Sequence, residues 1–231
     1  MNGKLIVIEG TDCSGKETQS KLLLEKLKKD GEKVVCLSFP MYDTPSGAII
    51  GACLLGKPYL CDKYLKENHS FFPEGGGNID SLAALCYYAA DRRYNLPTLE
   101  KYLNDGYIVI ADRYVPSNMA HRGGLLDSKE ERLKIYKKIE ILEYDLMELP
   151  RPNQIIFLYM PYKYACILKS KRSEALDETE KNAEYLKKGE QAYLELAKLY
   201  NYDMVNCVDN SGIRNFEDIS NEVYKLVRKR K

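Results

Sequence analysis

The stretch Leu5 to Gln19, LIVIEGTDCSGKETQ, constrains this chain more than any other. Four apolar residues, Leu5 to Ile8, precede Glu9 and then the spacing Gly10, four residues, Gly15, Lys16. An apolar strand, a glycine-bounded loop and a helix start, in that order, are the context of a phosphate-binding P-loop. Glycines at 10 and 15 let the backbone turn tightly and bring N–H groups close to an anion. The helix behind them adds unpaired donors and the positive end of its dipole. Lys16 supplies a point charge for terminal phosphates. Gly10, Thr11, Asp12, Cys13, Ser14, Gly15 and Lys16, with Glu17 and Thr18, are therefore the expected cradle for nucleotide phosphates. One position departs from the motif. A Ser or Thr normally follows the lysine and ligates Mg²⁺, but here Glu17 stands there and Thr18 comes next. Either Thr18 takes part of that role, or other groups and water hold the metal.

A chain of 231 residues suits one α/β domain, here 1–231, with a surface insertion at 56–80. Lys and Arg number 35 against 34 Asp and Glu, a formal charge of +1, so no global field points to nucleic acid or to a membrane surface. No apolar run approaches the ~20 residues of a membrane span, and Met1 to Lys4 lead straight into the first strand, so neither span nor signal peptide is expected. Seven scattered cysteines without a C-x-x-C pair predict reduced thiols and a cytoplasmic protein. Cys13, inside the loop, reads as a small tolerated residue.

Further along, 17–29 is an amphipathic helix and 33–38 a second strand, with Phe39-Pro40-Met41-Tyr42 at its C-terminal end. Ligands bind at that edge in open α/β sheets, which favours a site for Phe39 and Tyr42. Short helical patterning over 46–55 precedes the insertion. Residues 81–104 are mostly helical, and Pro97 should kink or divide them. Tyr88 and Arg92 lie four apart, on one face; taken alone, they read as a core tyrosine and a surface arginine. YIVIA (107–111) is a strand whose end carries Asp112 and Arg113. A carboxylate there can hold Mg²⁺ through water, and an arginine can clamp phosphoryl oxygens. Residues 115–125 read as a polar loop offering Ser117, Asn118, His121 and Arg122, 129–146 as one charged helix, 154–159 as a strand, and 162–176 as a helix ending in Lys169, Lys171 and Arg172. A helix over 180–200, a strand over 203–208 and a final helix over 215–229 complete the pattern. Five strands alternating with helices predict a doubly wound, mainly parallel sheet in a three-layer α/β/α arrangement.

With these pieces in place the chain resembles thymidylate kinases, in the nucleoside-monophosphate kinase branch of P-loop proteins. The resemblance rests on IEGTDCSGKETQ, Phe39-Pro40, YYAADRR (87–93), ADRYVPSNMAHRGG (111–124), RPNQIIFLYM (151–160) and DETEKNAEYL (177–186). It implies phosphoryl transfer from Mg·ATP to dTMP, with a helical lid over about 165–182. The loop amides and Lys16 would hold ATP phosphates. Asp12 would approach the sugar 3′-OH and influence the metal, with Asp112 near Mg²⁺. Phe39 and Tyr88 would line and stack on thymine, Arg92 would bond to its edge, and Asn118 would help read it. Arg113 would bridge donor and acceptor phosphates, Lys171 and Arg172 would close over them, and Asp177 would belong to the lid. A homodimer through helices that include 81–104 is implied too. Tyr42 stands where many relatives carry a phosphate-binding arginine, and His121 where a tyrosine commonly rejects a 2′-OH; Arg122 is also uncommon.

Those positions leave open a related nucleoside-monophosphate kinase with another acceptor, such as dUMP or another pyrimidine monophosphate, and two further readings compete. A deoxynucleoside kinase would need a base for a neutral 5′-OH, for which Glu9 is the candidate. A nucleotide-binding switch with weak catalysis would draw on Glu17, and Lys16, Arg113 and the lid cations oppose it.

Overall fold

Strand β1 (Lys4–Gly10) is the axis of the molecule. In the computed structural model, which describes residues 2–55, 79–170 and 182–229, Leu5 to Ile8 are at most 3% exposed. A strand with no polar face must be covered on both sides, as parallel sheets with crossover helices require. The neighbours are β2 (Val34–Ser38), β3 (Ile108–Asp112), β4 (Gln154–Tyr159) and β5 (Asp203–Asn206), in the order β2-β3-β1-β4-β5, with every pairing parallel.

Alternation along the strands builds two cores. Leu5, Val7, Val109, Ala111 and Phe157 pack on one face, beneath helices α3 (Ser81–Tyr94), α4 (Leu96–Asn104), α5 (Val115–Gly123), α6 (Lys129–Glu140) and α8 (Ala183–Leu199). Ile6, Ile8, Ile108, Ile110, Ile156 and Leu158 pack on the other, beneath α1 (Lys16–Lys29), α7 (Tyr162–Lys169) and α9 (Phe216–Lys229). This is the expected three-layer α/β/α arrangement.

Local differences have physical reasons. Residues 115–123 form a helix, α5, and not a loop; Val115, Met119 and Ala120 are among its buried residues, sandwiched between α3, α6 and α8. Pro97 divides 81–104 at Asn95, which joins α3 to α4. The charged helix expected over 129–146 ends its regular winding at Glu140, and Ile141–Leu146 continue as a π-helical turn. A short hairpin, β6 (Val208–Asp209) with β7 (Gly212–Ile213), follows β5. Helix α2 (Pro45–Cys53) begins one residue before the expected start, at a proline behind the Thr44 cap. The insertion at 56–80 lies almost wholly outside the described residues, as do Lys171, Arg172 and Asp177 of the expected lid.

Candidate active site

Parallel strands deliver their C-terminal ends to one edge, and the register sets Ser38, Asp112 and Ile8 side by side there. Successive strands lie on opposite sides of β1, so its end is a point where the winding reverses, the usual place for a ligand crevice. Residues 10–16 leave β1 at that point. Gly10 has no room for a side chain: a Cβ would sit 2.3 Å from Ser14 Oγ and 2.8 Å from Leu158 O. Cys13 (φ 54) and Gly15 (φ 81) both take left-handed backbone. Thr11 locks the loop to β4, donating from Oγ1 to Met160 O (2.7 Å) and accepting from Met160 N (2.8 Å). Gly15 caps α1 and offers no side-chain acceptor, which leaves first-turn N–H groups of α1 for an anion.

The Lys16 ammonium curls over this loop, donating to Gly10 O (3.0 Å) and Thr11 O (2.9 Å). Burial, and next the Arg113 guanidinium, push its pKa down to about 8. Asp12 forms an ion pair of 2.5 Å with Lys169, the last residue of α7. Burial works against the Asp12 charge, but Lys169, Lys16 and Arg113 outweigh it and lower its pKa. Asp112 is raised chiefly by burial, against Arg113 and Lys16, and its Oδ1 has no hydrogen-bond partner among the described residues. Arg113 sits at φ 67, uncommon for a non-glycine residue, with its N–H on Ile8 O at 3.1 Å. Burial opposes its charge, but Tyr193, Asp112, Glu9 and Asp12 outweigh burial and hold it firmly cationic.

Glu9, fully buried, has every acceptor position in use. Its Oε1 accepts from Tyr114 N (2.8 Å) and Ser117 N (3.2 Å), and its Oε2 from Ser117 Oγ (2.8 Å) and Tyr193 OH (2.9 Å). This carboxylate ties β1 to α5 and α8 and has no lone pair free to act as a base. That removes the ground for the deoxynucleoside-kinase alternative.

A second group lies beyond Arg113, on the α3 side of the sheet. Tyr88, half-buried, packs with Tyr42 against Ile50, Leu54 and Leu55. One turn on, Arg92 (3% exposed) makes a two-pronged ion pair with Glu143, Nε to Oε2 at 2.5 Å and Nη2 to Oε1 at 2.8 Å. Asn118 donates to the same Oε1 at 2.7 Å. His121 stacks on Tyr185 (centroids 5.6 Å apart), and its Nδ1 is 3.0 Å from the Tyr185 hydroxyl. Asp91 braces the loop after β2, accepting from Met41 N (3.1 Å) and Ser46 Oγ (2.6 Å).

The described residues expected at the site sit in different surroundings. Arg92 is not a surface arginine but a buried one, paired with Glu143. Phe39 is a core side chain, 2% exposed, packed against Tyr114 (centroids 5.7 Å apart). Glu17 and Thr18 are exposed, and Glu17 pairs with Lys21 at 2.5 Å. Glu143, Asp91, Lys169 and Tyr185 were not among the expected site residues. Glu143 had a readable signal: with Tyr136 and Ile139 it continues an i, i+3, i+7 buried stripe, where a carboxylate needs a partner.

A family model described as thymidylate kinase matches residues 8–219 of the chain. This chain belongs to the thymidylate kinase family. Members of that family phosphorylate dTMP to dTDP using ATP. Similar thymidylate kinases include that of Plasmodium falciparum (isolate 3D7), 31% identical over 227 residues, which cover 98% of this chain and 90% of that one. A probable thymidylate kinase of Thermococcus onnurineus (strain NA1) is 33% identical over 226 residues, 96% of each chain. The solved structure of the Candida albicans thymidylate kinase shares the fold, with a TM-score of 0.70 and 23% identity over 99% of this chain and 92% of that one.

Proposed function

We propose that this chain, as one kinase domain over 1–231, transfers the γ-phosphoryl group of Mg·ATP to dTMP through the residues assembled at the end of β1. The carrying observation is the placement of Lys16 and Arg113 between two unlike half-sites. On one side lies the phosphate loop with the uncapped start of α1. On the other lie Tyr88, Arg92 and Asn118, an aromatic face with polar groups suited to a base. Phosphoryl transfer needs alignment and charge stabilisation more than covalent help. A phosphate acceptor is already ionised, so the full commitment of Glu9 does not hinder the reaction.

In this reading the loop amides and Lys16 hold the donor phosphates, and Arg113, kept cationic, spans donor and acceptor phosphates. Asp12, steadied by Lys169, approaches the acceptor sugar. Tyr88 stacks on the base, beside Tyr42 and the His121–Tyr185 pair. Asp112 fits a cation, because its buried Oδ1 lacks a partner among the described residues, and so does the hydroxyl of Ser14. No group of three or more His, Cys, Asp or Glu among the described residues could hold a metal alone, so Asp112 with water and phosphate oxygens would complete the shell. When bound, Mg²⁺ supplies neutralisation of phosphate charge. Lys171, Arg172 and Asp177 are assigned to the lid.

We also place the chain as a homodimer in the cytoplasm. Leu82, Cys86, Tyr87 and Tyr94 make an exposed apolar stripe along α3, which favours an interface there. Free cysteines throughout the described residues suit a reducing compartment. No described helix is long and apolar enough to cross a membrane.

ADP production from Mg·ATP, measured with dTMP, dUMP, CMP, AMP and thymidine as separate acceptors, tests the assignment. Preference for dTMP is expected. Turnover of thymidine alone, or ATP binding without turnover on any acceptor, would overturn it.

A further inference from the structure

Arg92 and Asn118 meet on one buried carboxylate, and that carboxylate decides which atoms they leave for a ligand. Glu143 is fully buried, and Arg92 and Asn118 are 3% and 4% exposed. Ionised beside a guanidinium, Glu143 only accepts hydrogen bonds. The Asn118 group facing it at 2.7 Å must therefore be the Nδ2 amine, which also lies 3.4 Å from Leu85 O. Two acceptors on Nδ2 fix the amide with its Oδ1 turned the other way. Arg92 spends Nε and Nη2 on Glu143. No described residue hydrogen-bonds Asn118 Oδ1 or Arg92 Nη1, and neither atom is sealed from solvent. Because Nη2 and Nδ2 share Oε1, one carboxylate holds the two residues that keep an uncommitted acceptor and an uncommitted donor.

We propose that Glu143 is the positioning residue that sets acceptor specificity, by fixing Asn118 as an acceptor and Arg92 as a donor. The matching ligand edge is an imide, an N–H beside a C=O, as in thymine and uracil. Cytosine presents the reverse, a ring-nitrogen acceptor beside an amino donor, and would leave both pairs mismatched in a buried site. This rests on the kinase reading above and on the base lying against Tyr88. The π-helical turn is part of the device: Ile141–Leu146 carry the carboxylate at the end of the Tyr136–Ile139 stripe, beneath α3 and α5.

The test is steady-state kinetics with dTMP and dCMP on the full chain, for the parent, Glu143→Gln, Asn118→Asp and the double variant. Glu143→Gln should reduce the dTMP/dCMP ratio of kcat/KM by roughly ten-fold or more, since an amide at 143 can face Asn118 either way. Asn118→Asp should be the most impaired, with two carboxylates opposed. Combining them puts a donor opposite the new carboxylate and should restore preference for dTMP. A merely structural role would lower Tm and both kcat/KM values together, leaving the ratio alone, and that result in folded Glu143→Gln overturns the proposal. One arm needs no variant. In the parent protein, N3-methylthymidine should inhibit roughly ten-fold or more weakly than thymidine, and equal inhibition overturns the fixed orientation of Asn118. A parent protein inactive on dTMP overturns the kinase reading as well. A parent active on dTMP, with an unmoved ratio in Glu143→Gln, removes only the role of Glu143.

Discussion

Replacing Lys16 by methionine should abolish turnover and stabilise the fold, and the stabilisation should depend on pH in a defined way. Lys16 is 8% exposed, and its pKa falls from 10.5 to about 8 because of burial first and Arg113 second. At about 1.4 kcal/mol per pH unit, the folded chain binds this proton about 3 kcal/mol more weakly than the unfolded chain. That penalty is fully present below pH 8 and is lost as pH rises from about 8 to 10.5, where the folded state gives up its proton first. Met keeps the length of the side chain and removes the charge. It also loses the bonds to Gly10 O and Thr11 O, about 1 kcal/mol each, so the net gain at pH 7 should be about 1 kcal/mol. The difference between the two proteins should then move in favour of the parent by about 2.5 kcal/mol from pH 7 to pH 10. Urea unfolding followed by far-UV circular dichroism at several pH values measures this. Tyrosine ionisation is common to both proteins and cancels. A constant difference across that range would refute a buried, strained ammonium at this site.

Binding of ATP phosphates should return the Lys16 pKa toward its ordinary 10.5, with uptake of about 0.9 proton at pH 9 and about 0.1 at pH 7; titration calorimetry in buffers of unlike ionisation enthalpy reads the difference. Arg113→Ala should lower kcat by roughly a thousand-fold with an unchanged dichroism spectrum; near-normal turnover would remove Arg113 from the reaction. Tyr88→Ala should raise the KM for the acceptor with the KM for ATP kept, and an unchanged acceptor KM would return Tyr88 to a packing role. Gly47→Ala places a Cβ 2.0 Å from Met41 O, so it should displace the loop braced by Asp91 and cost on the order of 2 kcal/mol or more in thermal unfolding.

How much of this was legible in the sequence depended on which signals were local. The P-loop was, because glycine spacing, the preceding apolar run and the following helix all sit within 15 consecutive residues, Leu5 to Gln19. The central strands were too, because a strand buried on both faces is a continuous apolar run. Helix α5 was not. Ser117, Asn118, His121 and Arg122 read as loop polarity, yet each turns to a partner that only the tertiary fold supplies: Glu9, Glu143, Tyr185 and Ser81 O. The packing of Phe39 was not legible either, since a strand-end aromatic looks the same in sequence whether or not it packs on a ring such as Tyr114. The pairing of Arg92 with Glu143 spans 51 residues and no periodicity encodes it, although a carboxylate in a buried stripe was a clue.

The division of labour between the two faces of the sheet bears on how such a protein can change over time. Helix α1, behind the phosphate loop, packs with Leu23 and Leu27 on one side of β1. Apart from Tyr42 in the loop after β2, the groups assigned to the acceptor base belong to α3, α5, α8 and the π-helical turn on the opposite side. The base-facing positions, 88, 92, 118 and 121 among them, can therefore change while the ATP-handling layer stays as it was. Selection for a new acceptor and selection for rapid phosphoryl transfer act on different sides of the same sheet.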